Sequence, residues 1–293
     1  MKPPIFEYAV PTTLDEALAT LGQVPDDTKL LAGGQSLVPM LNMRLVRPQV
    51  LLDLNRIPEL REVTEAADGK LRLGAMVRQR RLETDPLLRR RAPLLAEAAS
   101  RVAHLQIRMR GTLGGSLAHA DPSAELPATI HALRGTLTLK RVGGRTRTLS
   151  TEEFFVGAMT TALEPDEALV QIDITPPPER TGWAFEEISL THGAFALVGV
   201  AALLHLDPRG RVNLARLALC GVEGTPYSPP WLEEMMLGQA AGQDLFERVG
   251  ARVRETLSPA SDRNLGSESR RTMAGALTSR ALAAAHRRTA GQA

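Results

Sequence analysis

The sequence predicts an α+β protein with two domains, and three observations lead to this prediction. The chain has 293 residues, which exceeds the usual size of one domain. In its first half, amphipathic helices alternate with short apolar strands. Three prolines, Pro176 to Pro178, interrupt the chain, because prolines cannot continue a helix interior or a central strand. Three longer strands and then only helices follow. We therefore predict one domain over residues 1–177, with subdomains at about 1–75 and 76–177, and a smaller α+β domain with a three-stranded antiparallel sheet over 178–293.

Local signals define the elements of the first domain. Thr13 and Glu16 form a capping box that opens a helix ended by Gly22, and Ser150 with Glu153 forms a second box before a short helix. Two alternating stretches around Gly143-Gly144 predict a hairpin. The predicted strands cover residues 29–32, 50–54, 71–75, 136–140, 146–149 and 169–174, and further helices cover 82–103, broken near Pro93, and 122–131.

The second domain has longer apolar runs. Three strands are predicted at residues 184–190, 196–206 and 212–222, joined by turns, since turn residues such as Asp207-Pro208-Arg209-Gly210 separate them. Amphipathic helices are predicted at residues 231–239, 244–257 and 267–287.

Composition excludes several classes of function. The net charge of +2 is too small to indicate a nucleic-acid-binding protein, and 3% aromatic residues cannot supply stacking platforms for single strands. The single cysteine, Cys220, cannot form an internal disulfide or hold an iron–sulfur cluster, which needs about four ligands. There is no signal-peptide pattern and no apolar run of roughly eighteen residues. We therefore expect a soluble, cytoplasmic protein with no membrane span.

Two glycine-rich motifs are the strongest candidates for a ligand site. Each has two adjacent glycines followed within two residues by a serine. Glycines let backbone N–H groups approach a ligand closely, and successive N–H groups form a concave nest that suits phosphate oxygens. We interpret both motifs as turns that hold one phosphorylated ligand. The first motif consists of Leu30, Leu31, Ala32, Gly33, Gly34, Gln35, Ser36 and Leu37, and the second of Gly111, Thr112, Leu113, Gly114, Gly115 and Ser116.

Other site types fit the residues less well. Neither motif has the glycine spacing of a dinucleotide-binding Rossmann turn or the Gly-Lys-Ser/Thr of a Walker A loop. Ser36 lacks the closing glycine of a nucleophile elbow. His119, Asp121, Glu125 and His131 have no standard metal-ligand spacing, and a helix start explains the two acids equally well. The residues by themselves thus indicate a phosphorylated cofactor, most simply a nucleotide.

Four stretches, in the same order, resemble the FAD-binding medium subunits of the molybdenum hydroxylases, a family that includes carbon monoxide dehydrogenase and xanthine dehydrogenase. The family's A-G-G-H/Q-S-L and T-I/L-G-G-N/S motifs are matched by residues 32–37 and 112–116. Residues 120–127 are similar to the stretch after the second family motif, and residues 259–262 with 269–274 are similar to its C-terminal signature. The resemblance covers nearly the whole chain.

The resemblance implies a fold and a cofactor. The fold is a two-subdomain FAD-binding domain of the PCMH type followed by a smaller α+β flavoprotein domain. The cofactor is FAD, with both glycine motifs around its pyrophosphate and ribityl chain. The implied FAD-binding residues outside the motifs are Ala120 and Asp121, Glu125, where the family has an acidic ligand, and Leu169, where it has an apolar residue near the isoalloxazine.

The implied function is electron transfer. A large subunit with the molybdenum cofactor oxidises the organic substrate, a small [2Fe–2S] subunit relays the electrons, and the FAD of this chain passes them to an external acceptor. The resemblance also implies assembly as a dimer of heterotrimers. No side chain of this chain acts as a catalytic group on the substrate, and no metal binds to it.

One stretch departs from the family pattern and leaves alternatives open. Where the family has a basic run ending in Asp, residues 185–195 carry Glu186 and Glu187, and Ala194 replaces the Asp. A glutamate in place of a lysine near the flavin would oppose an anionic reduced flavin. The departure is explained either by a different electron acceptor or by loss of FAD. The alternative functions of the chain are a flavin-free assembly or scaffold subunit and a stand-alone flavin oxidase.

Overall fold

A computed structural model describes residues 2–262 and 265–289 of the chain. Helices and strands both contribute throughout these ranges, which confirms the predicted α+β class. The strands are β1 (Glu7–Ala9), β2 (Thr28–Leu31), β3 (Val50–Asp53), β4 (Val63–Glu65), β5 (Leu71–Gly74), β6 (Thr136–Arg141), β7 (Thr146–Ser150), β8 (Phe155–Gly157), β9 (Thr160–Thr161), β10 (Glu167–Ile174), β11 (Gly182–Ser189), β12 (Ala196–Leu206) and β13 (Val212–Cys220).

The helices are mostly short in the first domain and longer near the C-terminus. They are α1 (Leu14–Gln23), α2 (Leu37–Asn42), α3 (Gln79–Thr84), α4 (Pro86–Arg91), α5 (Pro93–Arg101), α6 (Leu105–Arg110), α7 (Leu113–His119), α8 (Glu125–Ala132), α9 (Thr151–Phe154), α10 (Leu232–Met236), α11 (Gln243–Thr256) and α12 (Ser267–Thr289). The helical stretch predicted at residues 82–103 is three helices, because Pro86 and Pro93 each begin a new one.

The sheets divide the first domain differently from the sequence prediction. A parallel sheet has the order β1-β3-β2, and a five-stranded antiparallel sheet has the order β4-β5-β10-β6-β7. The sequence placed the strand at 71–75 in the first subdomain, but β5 pairs with β10, with Leu73 opposite Ile172. The connection from the first unit to the second therefore precedes β4, because β4 and β5 obtain their backbone partners from the second sheet.

The C-terminal sheet lies between two layers of helices. It has the antiparallel order β11-β12-β13, and the predicted strand at 196–206 is confirmed as β12. Since side chains alternate along a strand, Phe185 faces a core shared with α5 and α8, while Ala184 faces a second core formed with α10, α11 and α12. This sandwich holds the C-terminal sheet against the helices that follow the second glycine motif.

Both predicted capping boxes are helix starts. Ser150 and Glu153 make the reciprocal pair, with Glu153 N donating to Ser150 Oγ at 3.2 Å and Ser150 N donating to Glu153 Oε2 at 2.8 Å. Thr13 caps α1, but the carboxylate of Glu16 accepts the N–H of Thr12 at 2.8 Å rather than that of Thr13. The hydrogen bond from the backbone to Glu16 is therefore made one residue earlier than in an ideal capping box.

Among the described residues, no helix is both long and apolar enough to cross a membrane.

Candidate cofactor-binding site

The two glycine motifs, distant in sequence, touch each other through their backbones. A Cβ atom on Gly33 would lie 2.5 Å from the carbonyl oxygen of Arg110 and 2.7 Å from the Cα of Gly111. A Cβ on Gly115 would lie 3.3 Å from the Cβ of Ala32. Glycine is required at Gly33 because any side chain would push the motifs apart.

The first motif presents a row of unused backbone donors. Within the described residues, the N–H groups of Gly33, Gly34, Gln35 and Ser36 donate to no protein acceptor; we call these four groups the open N–H row. Gly34 has a φ of +74°, which glycine adopts without penalty. The carbonyls of the motif are used inside the protein, since Val38 N donates to Gly34 O at 3.0 Å. Such a row suits an anionic group with several oxygens, as predicted for a phosphorylated ligand.

The second motif is the start of α7 rather than a turn, which corrects the sequence interpretation. Thr112 caps the helix, and a Cβ on Gly114 would lie 2.5 Å from the Cβ of Ala75, so this glycine allows close packing. Four consecutive N–H groups of this motif, from Leu113 to Ser116, already donate within the protein. They donate from Leu113 to Val77 O at 2.9 Å, from Gly114 to Ala75 O at 2.8 Å, from Gly115 to Thr112 Oγ1 at 3.0 Å and from Ser116 to Thr112 O at 3.2 Å. The open nest therefore belongs to the first motif, and the second supports it from behind.

The residues after α7 form a tight connection to α8. Ala120 ends α7 with a φ of +51°, and its carbonyl accepts the N–H of Met159 at 3.0 Å. The carboxylate of Asp121 accepts the N–H of Ser123 at 2.9 Å, which delays the start of α8 to Glu125 from the predicted Pro122. Leu169, on β10, is buried in the main core opposite Leu139.

Glu125 is the most strongly perturbed acid of this region. It is 5% exposed at the first position of α8. Burial, together with the negative charges of Glu187 and Asp121, raises the pKa of its carboxyl to about 7. Cys220 lies nearby on β13 as a buried thiol, whose pKa burial also raises, in line with the predicted small buried side chain.

Replacing Glu125 with glutamine is expected to remove a pH-dependent loss of stability. The raised pKa means that the folded chain binds this proton more tightly than the unfolded chain, so wild-type stability falls as pH rises from about 4.5 to about 7. Such a shift corresponds to about 3 kcal/mol. Urea unfolding at pH 5 and pH 8 should show a smaller decrease for Glu125→Gln than for wild type. The exposed Glu255→Gln serves as the control, and equal decreases in all three proteins would refute the expectation.

The departure at residues 185–195 places its two glutamates on opposite faces of β11. Glu186 points to the C-terminal helices, where its Oε2 lies 3.0 Å from Nη2 of Arg280. Glu187 faces the same side as Phe185, and its Oε2 is buried without a hydrogen-bond partner. Burial raises the pKa of Glu187. Of the two, only Glu187 thus lies on the side of Glu125, and its negative charge contributes to the raised pKa of Glu125.

The loop after β11 lies over the segment that leads into the second motif. The rings of His104 and His192 are 5.7 Å apart, and a Cβ on Gly193 would lie 2.5 Å from the ring of His104. Phe195, in the same loop, is 65% exposed. This loop brings the C-terminal domain to α6, immediately before Gly111.

Sequence reasoning missed a polar network behind the two motifs. Nη2 of Arg78 donates to Oδ1 of Asn55 at 2.5 Å, and Nη1 donates to the carbonyl of Arg110. Nδ2 of Asn55 donates to the carbonyl of Ala32 at 2.8 Å and to Oδ1 of Asp53 at 2.5 Å. These side chains come from separate segments, and no local pattern in the sequence marks them.

Comparisons with known proteins identify the family of both domains. Residues 4–177 match the family described as the FAD binding domain in molybdopterin dehydrogenase, and residues 183–285 match the CO dehydrogenase flavoprotein C-terminal domain. The chain is 44% identical over 285 residues to the caffeine dehydrogenase subunit beta of Pseudomonas sp. strain CBB1, covering 97% of this chain and 96% of that protein. It is 37% identical to the carbon monoxide dehydrogenase medium chain of Hydrogenophaga pseudoflava, covering 99% and 100%.

Solved structures extend the likeness to the whole fold. The carbon monoxide dehydrogenase of Hydrogenophaga pseudoflava that lacks the Mo-pyranopterin moiety matches with a TM-score of 0.94 and 38% identity, over 98% of this chain and 99% of that one. Quinoline 2-oxidoreductase from Pseudomonas putida 86 matches with a TM-score of 0.93 and 37% identity, over 100% and 99%.

The fold and the family matches identify an FAD-binding subunit of an oxidoreductase. The chain belongs to the family of FAD-binding medium subunits of the molybdenum hydroxylases. This confirms the family and the cofactor that the sequence motifs implied.

Proposed function

We propose that this chain is the electron-transfer subunit of a molybdenum-hydroxylase-type dehydrogenase. It receives electrons from the [2Fe–2S] clusters of a small subunit, after a large subunit with the molybdenum cofactor has oxidised the organic substrate. The observation that carries the proposal is the open N–H row beside a backbone contact that only glycine permits. Bound FAD supplies the redox chemistry, since it can accept and release electrons singly or in pairs.

The residues of this chain bind and orient the cofactor. We propose that the open N–H row donates to the diphosphate oxygens and that the second motif, with its hydroxyls and close packing, fixes that row in place. Ala120, Asp121, Glu125 and Leu169 complete the proposed FAD-binding set beyond the two motifs. No side chain of this set acts on the organic substrate.

The assembly and its boundaries are part of the same proposal. We propose a domain limit between residues 177 and 178, which is supported by family matches that end at 177 and begin again at 183. The relatives are named as medium chains or subunits, which supports a multi-subunit complex. We propose a cytoplasmic dimer of heterotrimers with the large and small partners named above.

Purification with and without the partner subunits tests this function. We expect the isolated chain to carry about one FAD with the visible flavin bands, and substrate to reduce that flavin only when the molybdenum and [2Fe–2S] subunits are present. A chain that assembles with both partners but lacks flavin bands would support the scaffold alternative instead. Reduction of the isolated chain by an organic substrate would support the stand-alone oxidase.

A further inference from the structure

We propose that Arg78 and Asn55 form a positioning pair that locks the two glycine motifs together and aims the open N–H row at the diphosphate. The inference rests on the proposed function of that row. Each residue of the pair holds the backbone carbonyl directly before the first glycine of one motif: Asn55 holds Ala32 O, and Arg78 holds Arg110 O. The two side chains are joined at 2.5 Å.

Holding a carbonyl also sets the direction of the next N–H group. The C=O of Ala32 and the N–H of Gly33 belong to one planar trans peptide and point in opposite directions. Because Asn55 Nδ2 draws Ala32 O into the protein at 2.8 Å, the first donor of the open N–H row must point the other way, away from the pair. Asn55 therefore acts on FAD through the backbone of the first motif.

Arg78 likewise holds the backbone carbonyl that precedes the second motif. The carbonyl of Arg110 that accepts from its Nη1 is the same oxygen that a Cβ on Gly33 would approach to 2.5 Å. The guanidinium thus fixes the surface on which Gly33 rests. A planar group with several donors can reach Arg110 O and Asn55 Oδ1 together, which a lysine ammonium on a flexible chain does less well.

The pair is held from its far side by an anchored carboxylate. Oδ1 of Asp53 accepts from Asn55 Nδ2 at 2.5 Å and from the Asn55 N–H at 2.8 Å, while Oδ2 accepts from the Tyr8 hydroxyl at 2.5 Å. The hydrogen bond to Asp53 raises the pKa of Tyr8. The amide of Asn55 is thereby fixed in one orientation, with its oxygen towards Arg78 and its nitrogen towards Ala32.

Arg78→Met tests the pair, with FAD and ADP titrated into flavin-depleted protein. We expect the affinity for both ligands to fall about 10- to 100-fold, as for the loss of hydrogen bonds from a charged group. Riboflavin, which has no diphosphate, should be affected far less. Arg78→Lys should recover part of the affinity. Because the two residues act in series, Asn55→Ala should cause a similar loss, and the double variant should lose much less than the product of the single effects.

Arg211→Met is the matched control, since its guanidinium also donates to a backbone carbonyl, Gly238 O at 2.8 Å, in the C-terminal domain. It should leave FAD affinity unchanged. Unchanged FAD and ADP affinity in Arg78→Met and Asn55→Ala would overturn the proposal. The proposal would also be overturned if Arg211→Met lost as much FAD affinity as Arg78→Met for the same fall in thermal midpoint. If wild type itself binds no FAD, the proposed function fails instead, which separates the two outcomes.

Discussion

Gly33→Ala is expected to lower FAD affinity on the order of 100-fold, because overpacking of this kind typically costs about 1–3 kcal/mol and here displaces the donors themselves. The added Cβ would lie 2.5 Å from Arg110 O and 2.7 Å from the Cα of Gly111. Both are backbone atoms, so neither can move aside as a flexible side chain would. The first motif must shift away from the second and carry the open N–H row with it.

The measurement is the flavin content of purified protein and the FAD affinity after flavin removal. Gly242→Ala is a suitable control, because no atom lies within 4 Å of its added Cβ and its φ of 178° is ordinary extended backbone. The control should retain wild-type affinity. Full FAD content and affinity in Gly33→Ala would show that the two motifs need not touch for the cofactor to bind.

Glu167→Gln is expected to destabilise the five-stranded sheet by about 3 kcal/mol at neutral pH. Burial of the Glu167 carboxylate favours its protonated form, but hydrogen bonds from Arg147, the Glu164 N–H and Arg141 outweigh this and hold its pKa at about 2. The contacts measure 2.7 Å to Arg147 Nη2, 3.0 Å to Glu164 N and 2.9 Å to Arg141 Nη2. The carboxylate thus joins β10 to β6 and β7.

The pH dependence has a definite sign. Because the pKa in the folded chain is lowered, the stabilisation is present above about pH 4.5 and is lost as pH falls towards 2. The free energy of unfolding in urea should therefore differ between wild type and Glu167→Gln at pH 7 and converge at low pH. Glu268→Gln, which removes an exposed ion pair with Arg254, should have little effect. A constant difference at every pH would contradict the electrostatic explanation.

Features carried by neighbouring residues could be read from the sequence. The Ser150–Glu153 capping box, the strand at 196–206 and the hairpin around Gly143 follow from local hydrogen bonding, alternation and turn chemistry, and all three are present. The family and FAD followed from short motifs in fixed order. Few residue types let the protein backbone approach a cofactor closely, so such motifs can be recognised in the sequence.

Features that join distant segments needed the tertiary structure. Residues 113–119 form a helix in which Gly114 lies against Ala75, although glycine has a poor helix propensity. Assigning β5 to the second sheet required its pairing with β10.

By itself the sequence determined the α+β class, the two glycine motifs, the family and its cofactor. Only the tertiary structure decided that the first motif is the open one, that Gly33 rests on Arg110 and Gly111, and that Arg78 and Asn55 hold them together. The physical reason is range: helix caps and strand alternation act within a few residues, whereas a free N–H group is defined by the absence of acceptors from every other segment.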